Sequence, residues 1–176
     1  MTYPWYQIAG EEDNLQQGDI VLSCPVVIPK GTKFEIGKDY ESETLINNVI
    51  IMSQSCDLIP QSRKLDLVLV CPIYNLEYLS SSDPRFTPLN EKNNLRRGRY
   101  ASLHLLNRCD LHDGLKDFLV VDFRNVYSVG FDFLINFAKR DKKRVRLMPP
   151  YREHLSQSFA RFFMRVGLPV DIPEFK

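Results

Sequence analysis

Ser53, Gln54, Ser55, Cys56 and Asp57 place two hydroxyls, an amide, a thiol and a carboxylate in five consecutive residues. They follow the apolar run Val49-Ile50-Ile51-Met52. Continuous β-branched residues ask for a buried strand, and the abrupt change to small polar groups asks for that strand to end at a surface or cleft. In such a place the polar groups can hydrogen-bond a ligand, and the thiol is a candidate nucleophile. An adjacent carboxylate disfavours a thiolate, so Cys56 needs a nearby base or cation. The histidines, His104, His112 and His154, reach it only through the fold. The same residues equally suit a structural turn, with Ser53 and Ser55 as caps, Cys56 packed as a small hydrophobe and Asp57 bonded to its own backbone.

Two other groupings carry chemistry. Arg96-Arg97-Gly98-Arg99 is a basic cluster at the end of a polar stretch, suited to phosphate or to simple solvation. His104, Cys109 and His112 offer zinc-ligating side chains, but their spacing matches no zinc pattern and Asp110 and Asp113 mark an exposed turn. No metal and no cofactor is expected. Charge is uneven along the chain: residues 1–47 hold eight acids against three lysines, and residues 139–165 hold nine basic residues against two acids. A basic end of this size is either an electrostatic footprint for nucleic acid or a face that meets the acidic N-terminal segment.

These groups need a scaffold. With 44% hydrophobic and 26% charged residues, a chain of 176 residues fits one globular domain, is long enough to close a hydrophobic core, and is not expected to be disordered. Four dispersed cysteines without a CxxC pair fit reduced thiols. No apolar run spans a bilayer and the N-terminus has no leader pattern, so a cytoplasmic protein without membrane contact is expected.

Residues 1–15 read as an irregular lead-in. Strands are expected over residues 20–28, 34–36, 44–53, 65–73 and 100–106, with one or two more in 117–129 and another at 145–148. Residues 77–98 form an insertion, too long for an ordinary connection, that is either a flap or carries short helices. Pro149-Pro150 opens a C-terminal helix over residues 151–167, with Leu155, Phe159, Phe162, Phe163 and Val166 as its buried stripe. Close-spaced strands and a terminal helix predict a mainly β single domain: a small barrel built from residues 16–76 and 99–148, with added helices. The tail, residues 170–176, reads as extended.

In this order the motifs resemble the MazF/PemK-like, CcdB-like family of SH3-type barrel toxins. The resemblance rests on Gly18-Asp19-Ile20-Val21-Leu22, Val49-Ile50-Ile51-Met52-Ser53, Leu67-Val68-Leu69-Val70-Cys71-Pro72-Ile73 and the late run Leu119-Val120-Val121-Asp122-Phe123-Arg124. It implies a bacterial toxin-antitoxin or phage-defence setting and a metal-independent endoribonuclease acting on single-stranded RNA. It also implies a homodimer and a silencing protein partner or antitoxin. A cation must stabilise the phosphorane and a donor must protonate the leaving oxygen. The resemblance gives these roles to Arg124 and Tyr74. Asn47 or Asn48 stands where the family has an arginine, and Tyr74 where it has Thr or Ser. The Ser53 to Asp57 segment is outside the family pattern and falls where that fold binds RNA. Asp57 then completes a catalytic set with Arg124 and Tyr74, while Ser53, Gln54, Ser55, Cys56, Arg96, Arg97 and Arg99 are candidates for nucleic-acid binding. The alternative is a non-catalytic adaptor barrel that holds a protein partner; a third reading is a thiol enzyme built on Cys56.

Overall fold

β-branched and leucine-rich runs form the central strands, and the computed structural model, which describes residues 3–31, 35–37, 39–62 and 64–164, joins eight strands in one antiparallel sheet. They are β1 (Tyr6–Gly10), β2 (Asp19–Pro29), β3 (Ser42–Ile51), β4 (Leu67–Asn75), β5 (Leu103–Leu106), β6 (Leu119–Asp122), β7 (Tyr127–Gly130) and β8 (Lys143–Leu147). The paired order is β1-β8-β2-β3-β4-β6-β5, with β7 beside β4. Among the described residues this path stays open from β1 to β5. Mainly β with added helices is therefore the class observed, without closure into a barrel.

The central strands bury both faces. Successive side chains of a strand point to opposite sides, so Ile20, Ile50, Cys71 and Ile73 enter one core while Val21, Val49, Ile51, Val68 and Val70 enter another. This explains the continuous apolar reading of residues 49–52. The first core is closed by Phe123, Leu147 and helix α4 (Tyr151–Phe163), through Leu155, Phe159 and Phe162. The second is closed by α3 (Phe131–Lys139), whose Phe131, Leu134 and Ala138 face inward. Residues 77–98 are neither strand nor loose flap. Helices α1 (Leu76–Ser82) and α2 (Leu89–Arg96) pack Leu79 and Leu95, with Phe86, onto Leu103 of β5 and Val120 of β6.

Several expectations are corrected. Residues 6–10, read as irregular, form a strand because β8 supplies their partners, from Tyr6↔Leu147 to Gly10↔Lys143. The short strand at residues 34–36 begins at a position outside the described residues, and Ile36 lies in a turn. α3 was not anticipated. Phe163, counted in the buried stripe of α4, is 55% exposed. Val166, Gly167 and the tail lie outside the described residues.

The C-terminal basic segment is also reassigned in part. Arg144 and Arg146 lie buried on β8 and grip Asp19, which opens β2 and has 0% exposure. Arg144 Nε donates to Asp19 Oδ2 at 2.6 Å and Arg146 Nε to Oδ1 at 2.5 Å. Arg146 Nη2 adds a bond to Asp19 Oδ2 at 2.9 Å, and other guanidinium donors of the pair reach the carbonyls of Gly10, Asp13 and Asn14. These two arginines meet the chain's own N-terminal segment and take no part in any surface footprint. No helix among the described residues is long and apolar enough to cross a membrane.

Candidate functional site

A cavity of about 640 Å³ opens where α2 and β5 face α4 and the chain before β1. Arg96 and Arg97 reach it from the end of α2, whose last turn closes on Gly98 at φ 68°. Gly98 N donates to Leu95 O and Arg99 N to Asn94 O, the paired bonds that end a helix on a left-handed residue. Arg161 enters from α4. An aromatic pair, Trp5 and Tyr151, lines the same space with centroids 3.6 Å apart and planes within 9°. Trp5 is held by its carbonyl, which accepts from Met148 N at 2.8 Å just before α4 begins.

The charge of this cleft is one-sided. Six other arginines are paired with carboxylates: Arg85 with Asp83, Arg124 with Asp122, Arg140 with Asp141, Arg144 and Arg146 with Asp19, and Arg152 with Glu153, while Arg108 lies over the Phe118 ring at 4.7 Å. Among the described residues no carboxylate pairs with Arg96, Arg97 or Arg161, and none lines the cleft. Unpaired guanidiniums beside aromatic faces suit an anion that carries a ring. Arg99 turns back instead, with Nη1 donating to Asn94 Oδ1 at 3.0 Å.

His104 and His154 complete the lining. Their rings meet edge to face at 5.5 Å, and His104 lies over Phe123 at 6.2 Å. Burial, followed by the neighbouring His154, pushes the pKa of His104 from 6.5 down to about 4. The neutral imidazole is therefore its native form at pH 7. Since the folded value lies below the unfolded one, the unfolded chain binds the proton first as pH falls. The stability contributed by neutral His104 is full above about pH 6.5 and is lost progressively toward about pH 4. Wild type should lose about 2 kcal/mol more than His104→Gln between pH 7 and 4.5 in urea unfolding. Parallel curves for the two proteins would remove this role of His104.

The expected catalytic residues divide into two places. Tyr74, near the end of β4, and Arg124, just after β6, gather around Asp122, which is 2% exposed. Arg124 Nε and Nη2 each donate to the Asp122 carboxylate at 2.8 Å, and Arg124 N donates at 2.9 Å. That hydrogen-bonded pair raises the pKa of Arg124. Burial first and Asp122 second raise the pKa of the Tyr74 hydroxyl, so it stays protonated and able to donate. The Arg124 charge is already compensated and its geometry fixed.

Asp57 is not in this cluster. It ends a short 3-10 turn, Ser55–Asp57, and binds Lys64 at 3.2 Å. The loop is anchored by Ser53 Oγ, which accepts from Leu69 N at 2.9 Å. Tyr74 is five residues beyond Leu69 on β4, about 16 Å along the strand from that anchor point. Gln17 secures the rest of the loop: its N donates to Ser55 Oγ at 3.1 Å and its Nε2 to Met52 O at 2.8 Å. Ser53 thus ties the end of β3 to β4, Ser55 ties the loop to the turn before β2, and no side chain caps the 3-10 turn. Gln54 and Cys56 are exposed, and the Cys56 thiol donates to Asp57 Oδ1 at 3.6 Å.

His104, Cys109 and His112 do not converge: Cys109 is buried and His112 Nδ1 accepts from Gly114 N at 3.1 Å. No three metal-ligating side chains come together among the described residues. Asn48, matched above to a family arginine, uses Oδ1 to accept from Ser23 N at the bulge in β2. No family model, curated protein or solved structure matches this chain. Sequence reading found Arg96 and Arg97 as a cluster. It missed Trp5, Tyr151 and His154, which join them only through the packing of α4.

Proposed function

We propose that this protein faces single-stranded nucleic acid and holds it in the cleft between α2 and α4. The observation that supports this reading most is that three arginines, Arg96, Arg97 and Arg161, line one cleft beside the stacked Trp5 and Tyr151 with no carboxylate partner among the described residues, whereas six arginines elsewhere are paired with acids. A basic groove with aromatic faces binds a strand by phosphate contacts and base stacking. The order of strand motifs supports a divergent member of the MazF/PemK-like SH3-type group, with RNA as the natural ligand. Tyr74 standing near the bonded Asp122–Arg124 pair supports a second reading, a metal-independent endoribonuclease at that cluster.

One experiment addresses both. A 3′-labelled mixed-sequence RNA is titrated with wild type and with Arg96→Ala/Arg97→Ala at several salt concentrations. Wild type should bind with a linear salt dependence. The double variant should bind about tenfold or more weakly, with a slope shallower by about 1.4 if each arginine neutralises one phosphate. Absence of saturable binding by wild type at low salt would falsify the nucleic-acid reading. Strand scission in the same chelator-treated samples, abolished by Arg124→Ala, is the result expected of the endoribonuclease; intact RNA throughout leaves a binding module.

A further inference from the structure

We infer that the cleft takes a single nucleotide unit bearing a phosphomonoester, either a free nucleotide or the phosphorylated end of an RNA strand. This rests on the reading above and narrows it from strand to terminus. An internal phosphodiester carries one negative charge, whereas a phosphomonoester carries about −1.5 to −2 near neutral pH and offers three acceptor oxygens. Three guanidiniums without counter-charges among the described residues match the second better than the first. A volume of about 640 Å³ lies inside the range of pockets that enclose one small ligand.

The lining also divides by chemistry in the way a nucleotide does. Trp5 and Tyr151 form a flat aromatic element on which a base can stack. His104 and His154 contribute imidazoles that, among the described residues, make ring contacts with each other and with Phe123 and no hydrogen bond. A neutral imidazole has one donor and one acceptor, suited to a sugar hydroxyl or a base edge. Guanidinium forks bind phosphate oxygens two at a time.

The test compares five probes on the full chain: one RNA octamer with a 5′-phosphate, with a 3′-phosphate, and with hydroxyls at both ends, then a nucleoside 5′-monophosphate and inorganic phosphate. The expected result is binding of a phosphorylated end about tenfold or more tighter than the hydroxyl-ended octamer. The preferred end identifies the strand polarity, and competition by the mononucleotide at comparable affinity identifies the free nucleotide as ligand. Arg161→Ala, an exposed substitution, should shrink that preference while leaving the thermal melt unchanged. Equal binding of all three octamers overturns the terminal site and leaves the nucleic-acid reading intact. Inorganic phosphate competing as well as the mononucleotide overturns the nucleotide unit. Failure of every probe removes both this inference and the reading beneath it.

Discussion

Replacing Asp19 by alanine should lower the free energy of unfolding by about 3–5 kcal/mol, the cost of leaving a buried ionic partner uncompensated. Here two partners are left. Arg144 and Arg146, both buried on β8, place their Nε donors on the two Asp19 oxygens, and Gln16 N donates to the same carboxylate at 3.1 Å. Their other donors hold the carbonyls of Gly10, Asp13 and Asn14, so the loss spreads from the β2 to β8 pairing into the turn after β1. Asp19→Asn keeps the shape and part of the hydrogen bonding and should cost less than alanine. Urea unfolding followed by the single tryptophan, Trp5, reads the effect. A shift below about 1 kcal/mol for the alanine variant would mean that water replaces the carboxylate without penalty.

Phe123→Ala should cost a comparable amount, about 3–5 kcal/mol, through lost burial and the cavity left behind. The ring is 1% exposed and joins three elements. It meets Phe159 edge to face at 5.4 Å, Phe162 at 6.2 Å, and carries His104 on its other contact at 6.2 Å. Truncation therefore loosens α4 from the sheet and unseats one wall of the cleft. Phe123→Leu should cost clearly less, since most of the apolar volume is kept. The check is the pair of unfolding curves together with Trp5 fluorescence in the native baseline, because Trp5 stacks on Tyr151 of the same helix. An alanine variant as stable as the leucine one would show that Phe123 does not anchor α4.

The parts of the fold that were legible share one property: their signal is local. β2, β3 and β4 announce themselves by β-branched runs between Gly, Pro and Asp turns, and Pro149-Pro150 marks both the end of β8 and the start of α4. β1 carries only Tyr-Gln-Ile-Ala-Gly, a pattern that becomes a strand because β8 pairs with it 130 and more residues later. α3 is nine residues long, preceded by Gly130 without a side-chain cap, and depends on the second core for its place. The site divides in the same manner. Arg96 and Arg97 were visible as neighbours, and Arg124 has its carboxylate two residues before it. That Asp57 bonds Lys64 while Tyr74 sits beside Asp122 and Arg124 was hidden, because it depends on the register of β4 against the Ser53 loop, which no short motif encodes.

The two-sided burial of the central strands bears on how this sequence can drift. Ile50 and Ile51 are adjacent in the chain yet lie in separate cores, one with Leu147 and Leu155 and the other with Leu134 and Ala138. A volume change at Ile50 can therefore be compensated from α4 or β8, and one at Ile51 from α3, but neither by its own neighbour. Covariation among relatives of this protein should skip every other residue along β3 and link each set to a different helix.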